Sequence, residues 1–274
     1  MPETPATSLR SPADGTECRP YLLSALPPGK SWALSPAMRL ASLLLLTIFT
    51  ILLAPLRAED PAPTAASGEF IILTGGVSMW KWEKWKAQPH DSWWMNFVRA
   101  SRLRIEQIQA ATPDAQITWL VYRPAYLNRG KQDNADLIGN INSVRDAYHV
   151  KLIYFDKTDE VINYLNNGQD RSRVKIADFE FFGHSNKKCW MFDYSNNIDS
   201  ASKVWLHEDD LNKIRRGLFS RDAFVKSWSC HTGESMSSRW KSVTGAAMIG
   251  AIGKTQYMTD ELPILSSENG RWTR

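Results

Sequence analysis

Two short segments carry residue types that can do chemistry together: Phe181-Phe182-Gly183-His184-Ser185 and Ser227-Trp228-Ser229-Cys230-His231-Thr232-Gly233. Each stands where an apolar, strand-like run ends. A histidine at the end of one strand and a cysteine at the end of a later strand can face each other across a parallel sheet. An imidazole beside a thiol is the minimum apparatus for nucleophilic cysteine catalysis. The thiolate is the attacking species, and two devices can favour it at Cys230. One is His184, as a neighbouring base or imidazolium. The other is the amino end of a helix starting after Thr232-Gly233. Gly233 allows a close turn there. Backbone amides around Gly183, Ser185 and Cys230 are candidate oxyanion donors.

The elements that must position these residues follow from the apolar pattern. Strands are expected at 70–73, 117–122, 150–155, 174–182, 223–229 and 246–252. Helical spacing is read at 92–110, 140–149, 158–166, 207–219 and 234–244. Asp91 or Ser92 is the expected cap of the first helix. In the fourth, Leu211, Ile214 and Leu218 form the apolar stripe, with acidic residues at its start and Arg215 and Arg216 near its end. Arg123-Pro124 reads as a stop after the second strand. Strands alternating with helices specify an α/β fold with a mostly parallel sheet of about six strands. In such sheets ligands gather at the carboxyl ends of strands, where His184 and Cys230 are expected.

Several features have a plainer reading. Cys230 can be half of a disulfide with Cys189, or a buried or metal-bound thiol. His184 can be a strand-end histidine bonded to the backbone. His184, Cys189, Cys230 and His231 together are the ligand set of a structural zinc site, although their spacing is unlike paired knuckles. Gly183-His184-Ser185-Asn186-Lys187 approaches the serine-hydrolase elbow but has Lys187 where that motif has glycine. Asp178, Glu180, Trp190 and Asp193 flank the histidine strand. Of these, Glu180, Trp190 and Asp193 are the expected substrate-binding residues. Trp80, Trp82, Trp85, Trp93 and Trp94 crowd one segment and read as packing, a lid or a contact surface. No cofactor and no metal is required.

Residues 1–37 contain several prolines without apolar periodicity and read as a disordered or misassigned extension. Residues 38–58 run basic, apolar, then small, the order of a secretory signal peptide. The apolar stretch is shorter than the roughly 20 residues of a bilayer span. Export to a periplasm or beyond is therefore expected, with no stable membrane insertion after cleavage; an uncleaved anchor is the alternative. Residues 59–68 read as a flexible leader, and 69–274 as a single α/β domain. Without residues 1–58 the chain keeps 28 of its 33 basic and 26 of its 29 acidic residues, a net charge of +2. Such a balance carries no electrostatic footprint for nucleic acid.

The strand ending in Gly183-His184, followed by the strand ending in Ser229-Cys230-His231-Thr232-Gly233, resembles the caspase-like cysteine peptidases. That group includes caspases, gingipains, separases and bacterial CHAT domains, and the Cys-x-Thr-Gly segment is nearest the CHAT form. The resemblance covers roughly residues 69 to 253 in element order and only the two motifs in detail. It implies a caspase-like three-layer sandwich, with His184 as general base, Cys230 as nucleophile and a peptide or protein as substrate. The chain departs from the pattern at Ser185, where the family usually has glycine, and in the additional strand at 150–155. Its tryptophan-rich segment has no family counterpart. The alternative is a secreted, non-catalytic binding module closed by a Cys189–Cys230 disulfide, with the tryptophans as its contact surface.

Overall fold

Residues 70–73 are apolar without interruption, as a strand covered on both faces must be. In the computed structural model, which describes residues 68–78, 95–193 and 204–273, this segment is the middle strand of the main sheet. The main sheet is built from β1 (Glu69–Thr74), β2 (Gln116–Tyr122), β3 (Lys151–Phe155), β4 (Ile176–Phe182) and β8 (Phe219–Ser227). The strands lie in the order β3-β2-β1-β4-β8 and all are parallel. Successive side chains alternate between two cores. Ile71, Leu73, Phe179 and Phe181 face one core, which holds Trp190, Phe192, Met236 and Trp240. Phe70, Ile72, Trp119 and Phe182 face the other, with Phe97, Ile105 and Ile108 of helix α1 (Asn96–Ala111).

Helices α2 (Arg123–Asp133), α3 (Leu137–Tyr148), α4 (Thr158–Asn167) and α5 (Met236–Thr244) complete the layers. Arg123-Pro124 ends β2, as expected, and also starts α2. Proline fits a first helical turn, because no partner exists there for its missing N–H. Helix α1 begins after Met95, which makes no side-chain cap bond. Asp91, Ser92 and the five clustered tryptophans lie outside the described residues, as do the expected extension, signal peptide and most of the leader. No helix among the described residues is long and apolar enough to cross a membrane.

Two expected elements take another form. The helix at 207–219 is replaced by strand β7 (Val204–His207), a single 3-10 turn (Asp210–Lys213) and the start of β8. Leu211, Ile214 and Leu218 are buried as the stripe requires. However, the Arg215 amide donates to Asn166 Oδ1 (2.8 Å), and Gly217 takes a left-handed φ of 79°. The chain is thus drawn across the end of α4 instead of coiling. The sixth strand is reduced to one parallel bridge, Lys226 to Ile249. Beyond it, Gly250 approaches the Gly233 backbone so closely that a Cβ there would stand 2.6 Å from the Gly233 nitrogen. β9 (Ala251–Ile252) then leaves the sheet to pair antiparallel with β12 (Arg271–Trp272).

Between β4 and β8 the chain forms an antiparallel sheet that the sequence reading lacks. It consists of β5 (His184–Ser185), β6 (Cys189–Asp193) and β7. Asn186 makes its first turn by accepting the amides of Lys188 and Cys189 on its side-chain oxygen. At the opposite end of the main sheet, buried Glu69 accepts hydrogen bonds from Arg171 (2.6 Å), Thr118 (2.6 Å) and Tyr164 (2.5 Å). Those side chains satisfy one another and close the amino ends of the strands.

Candidate active site

The site is built where β4 and β8 end. The two strands are neighbours, with Phe181 opposite Ser227, and the Trp228 amide donates to the Phe181 carbonyl at 2.9 Å. Gly183-His184 and Ser229-Cys230 therefore leave the sheet side by side. Ser185 fastens them: its hydroxyl donates to the Cys230 carbonyl at 2.5 Å. His184 and Cys230 are both half-buried.

Among the described residues the Cys230 sulfur hydrogen-bonds with Thr255 alone. The Thr255 amide donates to it at 3.4 Å, the Thr255 hydroxyl stands at 3.6 Å and the Thr255 carbonyl at 3.7 Å. The His184 imidazole is not among these partners. Its ring meets the edge of Phe97, with centroids 4.9 Å apart. Phe97 in turn meets Tyr257 at 4.7 Å, and the Tyr257 hydroxyl accepts the Gly183 amide at 2.9 Å. The Gly183 amide, an expected oxyanion donor, is thus taken up by a phenol. Thr255 and Tyr257 belong to a segment with no motif of its own, and nothing in the local sequence ties it to residues 183 and 230.

Cys189 and Cys230 are both free thiols, so the disulfide of the alternative reading is not formed. Cys189 lies on β6, and burial pushes its thiol up. A buried protonated thiol is a poor nucleophile. Alkylation of the folded chain is therefore expected to label Cys230 and spare Cys189 until denaturant is added. Peptide mapping by mass spectrometry reads the two sites separately, and equal labelling would contradict this placement.

Gly233 serves a close approach, because a Cβ there would lie 2.6 Å from the Gly250 carbonyl oxygen. It sits in a short 3-10 turn (Thr232–Glu234), and α5 starts only after Ser235. The first amide of α5, Met236, donates to the Lys187 carbonyl at 2.9 Å, so that helix end does not serve Cys230. Glu180 and Trp190 lie in the interior and offer no substrate surface. Glu180 accepts from Arg104 and from the Trp228 indole, and the Trp190 indole donates to Ser227. Both are expected at the site because they flank the histidine strand, but strand alternation turns each into a core. Asp193 ends β6 at 9% exposure. Its charge, after burial itself, pushes the Tyr122 phenol up.

Ser185 sits on a two-residue antiparallel strand and not on a strand-to-helix turn, so no nucleophile elbow is formed. Among the described residues no group of three or more His, Cys, Asp or Glu is arranged to hold a metal ion. His231, in a left-handed conformation (φ 62°), bonds Glu234 through Nδ1 at 2.5 Å, and this bond holds the Glu234 carboxyl below its usual range. Beside it opens a pocket of about 480 Å³ lined by Asn186, Lys187, Lys188, His207, His231 and Glu234. No protein-family model, curated protein or solved structure matches this chain.

Proposed function

We propose that this chain is an exported cysteine peptidase of caspase-like type, with Cys230 as nucleophile and His184 as general base. The observation that carries the reading is the placement of the two residues at the carboxyl ends of adjacent parallel strands, with Ser185 fastening one strand end to the other. The chemistry is acyl transfer. His184 takes the Cys230 proton, and the sulfur attacks the peptide carbonyl. The leaving amine receives the proton from the imidazolium, and water hydrolyses the thioester. In the resting chain the sulfur hydrogen-bonds Thr255, and this mechanism requires the imidazole to reach it when substrate is bound. Catalytic hydrogen bonds commonly tighten only then.

The test is hydrolysis of a fluorogenic peptide library by the purified chain beside Cys230→Ala. The expected result is turnover by the parent, none by the variant, and an acyl adduct on Cys230 in the quenched reaction. Equal turnover by both proteins would remove the proposal.

A further inference from the structure

The residue that hydrogen-bonds the Cys230 sulfur comes from outside both motifs. Thr255 opens β10 (Thr255–Gln256), a strand paired on one side with β11 (Ile264–Leu265). Its place over Cys230 is built from both directions. The His231 amide donates to the Gly253 carbonyl at 2.7 Å, and the Gly253 amide donates to Glu234 at 3.0 Å. On the far side, the Lys254 amide donates to the Ser267 hydroxyl at 2.8 Å, and the Ser266 amide donates to the Lys254 carbonyl at 2.9 Å. Gly253 turns the chain with a φ of 94°, a left-handed value natural to glycine. A Cβ at this position would stand 2.8 Å from the Ser267 hydroxyl oxygen. The Thr255 backbone is therefore held against the turn that carries Cys230.

The three contacts of the sulfur divide by chemical state. A protonated thiol donates to the Thr255 carbonyl (3.7 Å). Once the proton leaves, the sulfur is an acceptor facing the Thr255 amide (3.4 Å) and hydroxyl (3.6 Å), both of which can donate. Hydrogen bonds to a charged form favour that form. The charged and titratable groups on the elements around Cys230 are His184 from β5, Lys187 from the β5–β6 turn, His231 and Glu234 from the turn after β8, and Lys254 and Tyr257 flanking β10. None of these hydrogen-bonds the sulfur, whereas Thr255 does so through three atoms.

We propose that Thr255 is a positioning residue for Cys230: its amide and hydroxyl hold and aim the sulfur as thiolate. This assignment rests on Cys230 being the nucleophile. It does not require His184 to be the base.

The test is the pH profile of Cys230 alkylation by iodoacetamide in the full chain, for the parent, Thr255→Val and Thr255→Ser. Valine keeps the shape and the amide but removes the hydroxyl; serine restores the hydroxyl. The expected result is an alkylation rate about tenfold lower at pH 6.5 in the valine variant, with the profile displaced upward by about one pH unit. The serine variant is expected to follow the parent. Protection of Cys189 in each sample reports that the chain is folded. Superimposable valine and parent profiles would overturn the assignment. So would faster alkylation of the valine variant, which would make Thr255 a shield over the sulfur. The same series with His184→Ala separates the two readings. A Thr255 effect without a His184 effect removes the dyad and leaves Thr255 standing; a His184 effect without a Thr255 effect does the reverse.

Discussion

His184→Ala is expected to lower peptide turnover by about 10²- to 10⁴-fold, the usual contribution of a positioned general acid–base. The loss should fall on kcat, because the imidazole moves a proton and the mechanism gives it no part in substrate binding. The ring also packs edge-on against Phe97. Some loss of order at that contact is therefore expected, and His184→Gln separates it from the chemistry by keeping bulk without a base near neutrality. Both variants should lose turnover while Cys189 stays protected. Retained kcat in the glutamine variant would mean that the imidazole only packs.

The largest expected effect on stability lies beneath α1. Arg104 bonds Glu180 through Nε, reaches Asp178 at 3.4 Å and spreads over the Phe224 ring at 5.5 Å. Glu180 and Asp178 have no exposure to solvent. Arg104→Ala leaves the Glu180 charge buried without its cation, a change that costs about 3–5 kcal/mol. That is a large share of the 5–15 kcal/mol typical of a folded domain. Equilibrium denaturation measures it, and Glu180→Gln in the same background is expected to recover part of the loss. A loss below about 1 kcal/mol would show that water reaches the cluster.

Asp178 gives this cluster a pH dependence. Burial, then the neighbouring Glu180 charge, holds its carboxyl well above the usual range, against the pull of Arg104. The folded chain keeps a proton that the unfolded chain releases above about pH 4. The stability this group contributes is complete below that pH and is lost as pH rises toward the folded-state value. Asp178→Asn, neutral in both states, should gain stability relative to the parent from pH 4 to pH 7. Denaturation midpoints that run parallel across that range would contradict the placement of the proton.

The parallel sheet was legible because 70–73 and 119–122 run apolar without a break and β4 is apolar apart from Asp178 and Glu180, the pattern of strands covered on both faces. The two ends that carry His184 and Cys230 were legible for the same reason: the runs stop there. Local patterns misled where a longer-range contact decided the outcome. Leu211, Ile214 and Leu218 have helical spacing, yet Asn166 draws Arg215 aside. Residues 246–252 read as a strand, yet the approach of Gly250 to Gly233 pulls the chain out of the sheet. Glu180 and Trp190 adjoin His184 in sequence, and alternation buried both. Thr255 and Tyr257 carried no signal, because their partners stand 25 and 74 residues away.

The proposed chemistry requires an activated thiol at Cys230 served by His184. Its most direct test is the rate of Cys230 alkylation against pH, in the parent and in His184→Ala. The expected result is a fast reaction that persists well below the value of about 8.5 for a free cysteine, and a clear slowing in the variant. A parent profile that rises only near 8.5, unchanged by His184→Ala, would contradict it.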